Sequence, residues 1–241
     1  DVVDIAPQPG QQALILVATN WLAEYARRHN SNVIVLEDAI DLDHYPLKQS
    51  ERREDDPLVI GWVGNSTVGL RYLDQLREPL TNMFTKFPNL VFRVVSGRDF
   101  LFDSDDVPVD NVRWSMDYEA SVTFDIGLAP LTDSQYDQIK ASYKILQYWA
   151  HGIPVVCSQT ADGFLEDGIN CLIVNEQGDW ETKLSLLASH PELRVELGSR
   201  GRQLVENRFA LNVKGPKFAS MLEELASGAH DFDHNPKEYR D

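Results

Sequence analysis

The chain has 241 residues, a formal charge of −16 and 43% hydrophobic residues, which allows one large soluble domain or two small ones. Such an excess of acidic groups repels a nucleic-acid backbone, and the basic pairs Arg27-Arg28 and Arg52-Arg53 are too short to offset it. No apolar run approaches the roughly 20 residues of a membrane span, and the opening DVVDIAPQPG lacks the basic start and apolar core of a secretory leader.

Residues 1–12, with two prolines and several glutamines, read as a loose end. Residues 13–18 are a short apolar run, expected to be a buried strand. Thr19 or Asn20 then caps a helix over 21–29, with Leu22, Tyr25 and Ala26 as its apolar stripe. Residues 33–36 form another strand, and the acidic, irregular stretch 37–56 reads as a linker.

A regular alternation starts at Pro57. Strand 58–63 leads into the turn Gly64-Asn65-Ser66-Thr67 and a helix over about 69–86. Strand 90–95 follows, then an acidic loop over 99–110, a strand at 112–114 and a short helix at 118–121. Strand 125–130 runs into a helix expected over 140–149, a Gly-Ile-Pro turn and the apolar strand 155–157. Cys157 ends that strand and reads as a small buried hydrophobe. Neither it nor Cys171 belongs to a CxxC pair, which argues against zinc and for a reduced chain. A last strand is expected at 171–174 and helices at 180–189, 192–209 and 218–225. The tail from 227 has the composition of disorder. Strands alternating with helices imply an α/β fold with a doubly wound parallel sheet covered on both faces.

Ligands of such sheets bind beyond the carboxyl ends of the strands. Three loops gather there: 61–67, the Trp114-Ser115 corner, and the start of the helix bearing Lys140 and Lys144. The two lysines are four residues apart, so on a continuous helix they share a face and repel each other. A helix start also offers unpaired amides and the positive end of the dipole. A diphosphate between the lysines would remove the conflict. Other readings stand beside this one. Gly61 and Gly64 also suit a tight turn, Asn65, Ser66 and Thr67 a helix cap, Trp114 the core, and Gln147 a core-facing position with a backbone partner. His151 reads as structural.

The stretch 140–158, KASYKILQYWAHGIPVVCS, resembles the donor-site helix of retaining GT-B glycosyltransferases of the group-1, or family-4, class. DIGLAPL before it, EDGIN at 166–170 and IGWVGNST at 60–67 resemble that family's preceding strand, its DGxxG turn and its opening glycine loop. The resemblance covers about 57–209. It implies a Rossmann-like donor domain over 57–226, followed by a tail at 227–241. Residues 1–56 would be the remnant of an acceptor domain and the interdomain linker, in a chain that is a piece of a longer protein. It implies transfer of a sugar from a nucleotide-diphosphate donor to a glycan or lipid-linked acceptor, with retention and without a metal or other cofactor. Lys140 and Lys144 would stabilise the leaving diphosphate together with the amides at Ser142 and Tyr143. Gly61, Gly64, Asn65, Ser66 and Thr67 would line the donor site, with Gln147 at the ribose and Trp114-Ser115 near the base. The chain departs from the family pattern at Ile139 and Gln147, where many members carry a Glu-x7-Glu pair. The expected location is the cytoplasm or the inner face of the membrane. A non-catalytic nucleotide-sugar-binding or interaction module is the alternative.

Overall fold

The computed structural model describes residues 14–48, 56–65, 67, 69–103, 107–115, 123–132, 134, 137, 142–160 and 163–227. Its centre is a six-stranded, all-parallel sheet built from β3 (Leu58–Val63), β4 (Leu90–Ser96), β5 (Val109–Arg113), β6 (Ile126–Ala129), β7 (Val155–Ser158) and β8 (Leu172–Val174). The central strands are nearly continuous apolar runs because both faces are covered. Successive β3 side chains alternate between two cores: Leu58, Ile60 and Trp62 enter one, Val59 the other.

The strand order is β5-β4-β3-β6-β7-β8. The chain builds outward from β3 to β5, returns to lay β6 against the free side of β3, and builds outward again to β8. The reversal point therefore lies between β3 and β6, where a doubly wound sheet opens a crevice at its carboxyl edge.

Helices cover both faces: α2 (Arg77–Lys86) and α4 (Asp179–Ser189) on one and α3 (Tyr143–Ala150) on the other, while α5 (Pro191–Leu204) reaches both, with Leu197 in the first core and Leu204 against the second. The single helix expected over 69–86 is instead a 3-10 segment, Leu70–Leu76, followed by α2. Pro79 supplies the reason. It has no N–H for the carbonyl of Gln75, so a continuous α-helix would leave that group unpaired. The Gln75 carbonyl accepts the side-chain amide of Gln177 instead. The acidic loop ends earlier than expected, because Asp110 joins β5 and accepts from Arg93 Nε at 2.7 Å.

The first strand, β1 (Ile15–Val17), forms as expected but is not buried. It pairs only with β2 (Val33–Val35), in a separate two-stranded parallel sheet, and Leu16 is 41% exposed. Between them runs α1 (Asn20–Ala26), capped by Thr19, whose hydroxyl accepts from the Leu22 amide at 3.2 Å. The stretch read as a linker is tightly packed where it is described. Ile40 makes a parallel bridge to Ala210, and Ile40 and Tyr45 are buried in the α3-side core. Lys48 donates to Asp125 at 2.7 Å. Glu37 bonds both Arg208 and Lys214 at 2.6 Å. Burial pushes the Glu37 carboxyl up, but these two cations bring it below the usual carboxylate range.

After α5 a π turn, Val205–Phe209, leads to α6 (Leu211–Ser227), much longer than the turn or two expected at 218–225. Pro216 lies inside α6 and removes one backbone bond; the Lys214 ion pair with Glu37 and the buried Met221 hold the helix across it. No helix among the described residues is long and apolar enough to cross a membrane. The expected short helix at 118–121 and the tail from 228 lie outside the described residues.

Candidate functional site

Where the strand order reverses, β3 and β6 face each other with a glycine on each strand. The ladder between β3 and β6 is only two pairs long, Ile60 with Ile126 and Gly61 with Gly127. A Cβ on Gly61 would lie 2.1 Å from the Phe124 ring, and one on Gly127 would lie 2.7 Å from the Tyr148 ring. Gly61 thus lies within the strand, not on the turn, and its missing side chain makes room for core aromatics.

Beyond that short ladder Tyr148, on α3, fills the gap between the strands. Its phenol oxygen accepts from the Val63 amide at 3.1 Å and donates to the Leu128 carbonyl at 3.1 Å. Complete burial, only partly opposed by the Val63 amide, pushes its pKa far up, so it stays protonated and keeps donating. This brace fixes α3 over the carboxyl ends of β3 and β6. One turn earlier on the same helix face is Lys144.

Lys144 lies beside the glycine loop. Its ammonium lies 3.9 Å from the centre of the Trp62 ring, and a Cβ on Gly64 would lie 2.7 Å from Nζ. α3 starts at Tyr143, not at residue 140, and among the described residues no side chain caps it. Ser142 instead places its hydroxyl 3.2 Å from that of Thr160, while its carbonyl accepts from Ile145 and Leu146. Tyr143, the first helical residue, is exposed. The later helix start removes the argument that Lys140 and Lys144 share a helix face. Lys140 lies outside the described residues, as do Ser66 and Ile139.

The remaining candidates divide. Asn65 makes a local turn: its side-chain oxygen accepts from the Thr67 amide at 2.7 Å and its carbonyl from Gly69 at 2.9 Å. Thr67 is exposed on that turn. Trp114 is not a core residue; it follows β5 at the same edge of the sheet, 46% exposed, with Ser115 exposed beside it. Gln147 donates to the Tyr45 hydroxyl at 2.9 Å. His151 is buried, with Nδ1 2.8 Å from the Pro46 carbonyl. Burial holds its pKa below the ordinary value, the Pro46 bond opposes this, and Arg202 adds to it.

Three residues at this edge escaped the sequence reading: Trp62, Tyr148 and Asp137. Asp137 is fully buried and accepts from the hydroxyls of Tyr72, Thr132 and Ser134, so it ties the segment after β3 to the one after β6. The spacing of Lys144 and Tyr148 by one turn was a legible signal for the second; Trp62 beside the glycine loop and Asp137 in the acidic stretch before α3 were near the candidates in sequence, with no local sign of their contacts. The DGxxG-like turn is a structural clasp. Gly168 takes a left-handed φ of 73°, and Asp167 accepts from the Ile173 amide at 2.7 Å and from Lys183 at 2.9 Å. Cys157 and Cys171 are both free and buried.

An ammonium group beside a glycine turn and a helix start is an arrangement that favours a phosphate oxygen. Among the described residues no cluster of three metal-ligating side chains occurs.

Residues 118–213 match the model of the family described as glycosyl transferase-like. A glycosyltransferase from Rickettsia africae superposes with a TM-score of 0.68 at 14% identity, over 89% of this chain and 64% of its own. Anabaena HepE in complex with UDP-glucose gives 0.65 at 12% identity, over 88% and 64%. The C-terminal domain of LpcC, a group 1 family glycosyl transferase from Francisella tularensis, gives 0.56 at 16% identity, over 72% of this chain and 100% of its own. The chain therefore spans 64% of the length of the first two proteins. No curated protein matches the sequence significantly. At these identities the likeness is one of fold, and the segment that matches the glycosyl transferase-like family, 118–213, is the one that carries β6, α3 and Lys144.

Proposed function

We propose that this chain binds the donor of a retaining GT-B glycosyltransferase, a nucleotide-diphosphate sugar, in the crevice between β3 and β6. The observation that carries the reading is the Lys144 ammonium, held at the start of α3 and directly beside Gly64. In this role Lys144 and the amides at Ser142 and Tyr143 meet the diphosphate, whose charge grows as the sugar bond breaks, and Lys140 adds a second cation. Gly64 lets the backbone approach closely, with Asn65, Ser66 and Thr67 on the same loop. The exposed Trp114, with Ser115, offers the base a stacking surface. The acceptor is a glycan or a lipid-linked glycan, and the protein works in the cytoplasm or against the inner membrane face.

Calorimetry with nucleoside diphosphates tests this, starting with UDP because the Anabaena neighbour is complexed with UDP-glucose. A charge-assisted hydrogen bond contributes about 1.5–3 kcal/mol, so Lys144→Ala should weaken UDP by about tenfold or more and leave uridine nearly unaffected. Equal losses for UDP and uridine would remove Lys144 from the phosphate site. No binding of any nucleoside diphosphate would end the proposal.

One observation favours the second reading, a binding module without chemistry. Gln147 stands where many family members carry a carboxylate, and its amide is engaged by Tyr45. A chain that binds UDP-sugar but neither transfers nor hydrolyses it, with glycan acceptors present, fits the module and not the enzyme.

A further inference from the structure

The Lys144 ammonium rests on an aromatic face, and the surroundings of that face are built to hold it there. Trp62 is 1% exposed and points from β3 into the α2-side core. The edge of its indole reaches the turn above. A Cβ on Gly64 would lie 2.6 Å from Trp62 Cζ2, and a Cβ on Gly69 would lie 2.7 Å from the same atom. Two glycines from opposite ends of one loop thus clear space for one ring edge. Lys144, from the helix on the other face of the sheet, closes over that ring at 3.9 Å.

We propose that Trp62 is a positioning residue for the anion site: its indole face seats the Lys144 ammonium at the mouth of the crevice, and Gly64 and Gly69 are glycines so that the ring can lie there. This rests on the reading of Lys144 as a phosphate group's partner and names the residue that aims it. The physical reason is twofold. A lysine side chain carries several rotatable bonds, and a ligand that must order it loses affinity. The ring quadrupole attracts the cation without neutralising it, so this contact orders the ammonium at no cost in charge.

The test uses the full chain and two measurements. In NMR spectra without ligand, the ε-methylene protons of Lys144, assigned by their loss in Lys144→Met, lie upfield of the other lysines because they are shielded above the indole. In Trp62→Leu they return to the ordinary position. In calorimetry with UDP, and separately with inorganic pyrophosphate, Trp62→Leu binds about fivefold more weakly, as expected for loss of a cation–π contact. Trp62→Phe, which keeps an aromatic face, recovers most of that loss. Trp62→Leu combined with Lys144→Met is no weaker than Lys144→Met alone. An unshifted Lys144 resonance in the wild-type chain overturns the seat, and that spectrum decides it even if Trp62→Leu fails to fold. Losses that add in the double variant, or a Phe variant as weak as Leu, show a structural role only and also overturn it. A shifted resonance in a chain that binds neither UDP nor pyrophosphate identifies the other failure: the phosphate reading falls, and the anion role of Trp62 falls with it.

Discussion

Individual residues at this edge of the sheet divide into those that frame it and those to which a ligand role is proposed. Gly61, Gly127 and Tyr148 shape it: two absent side chains and one phenol that substitutes for a strand pairing. Lys144 lies over the Trp62 ring, Trp114 is half-exposed, and Gln147 donates to the Tyr45 hydroxyl. His151 belongs to the frame as well, and its titration is a way to observe it. Its folded pKa lies below the ordinary 6.5, so between the two values the unfolded chain binds more protons than the folded one. Stability from this group is therefore complete above about pH 6.5 and is lost as the pH falls below that value. The melting temperature should decline in that window, and His151→Gln should flatten the decline. A slope unchanged in that variant would assign it to another histidine.

Among the elements, α3 is the one whose placement decides function, and it is clamped from three sides. Tyr148 pins it to the sheet, the Tyr45 and Pro46 contacts pin its outer flank, and α5 packs behind it. The α5 contact depends on small residues. A Cβ on Gly198 would lie 2.0 Å from the Gly152 carbonyl oxygen, and one on Gly201 would lie 2.2 Å from the Trp149 ring. Gly152 itself has a φ of 73°, in the left-handed region that ends α3 and releases the chain into β7. Because backbone cannot yield as a flexible side chain does, Gly198→Ala should cost about 2–3 kcal/mol, read as a lower urea midpoint with an unchanged slope. A midpoint equal to that of the wild-type chain would mean that α5 slides at no cost. The sequence pattern foretold α4 closely, and α3 and α5 with a later start for the first and an earlier end for the second. It failed over 70–86 and 211–227, where Pro79 and Pro216 act through single backbone bonds that a hydropathy pattern does not register.

For the whole molecule, the unexpected feature is how firmly the segment before Pro57 is joined to the six-stranded unit. Charge and irregularity made 37–56 read as a linker, yet Glu37, Ile40, Tyr45 and Lys48 each meet a partner on α5, α6, the π turn or the strand region around Asp125. Burying an apolar side chain contributes about 1.5–3 kcal/mol, so removing residues 1–48 should destabilise the remainder by several kcal/mol. The drop would be seen in thermal and urea unfolding of the shortened chain, and an equal melting temperature would show that the segment is a passenger.

The sequence by itself determined the alternation of strands and helices, the doubly covered sheet, the glycine loop and the lysine-bearing helix. Each of these is written in local patterns: apolar runs, turn residues and side-chain spacing. Only the tertiary structure decided that β6 returns to the side of β3. That pairing sets the strand ends over which α3 carries Lys144 onto Trp62 and Gly64. Strand order is settled by packing between segments far apart in the chain, and no local pattern carries that information.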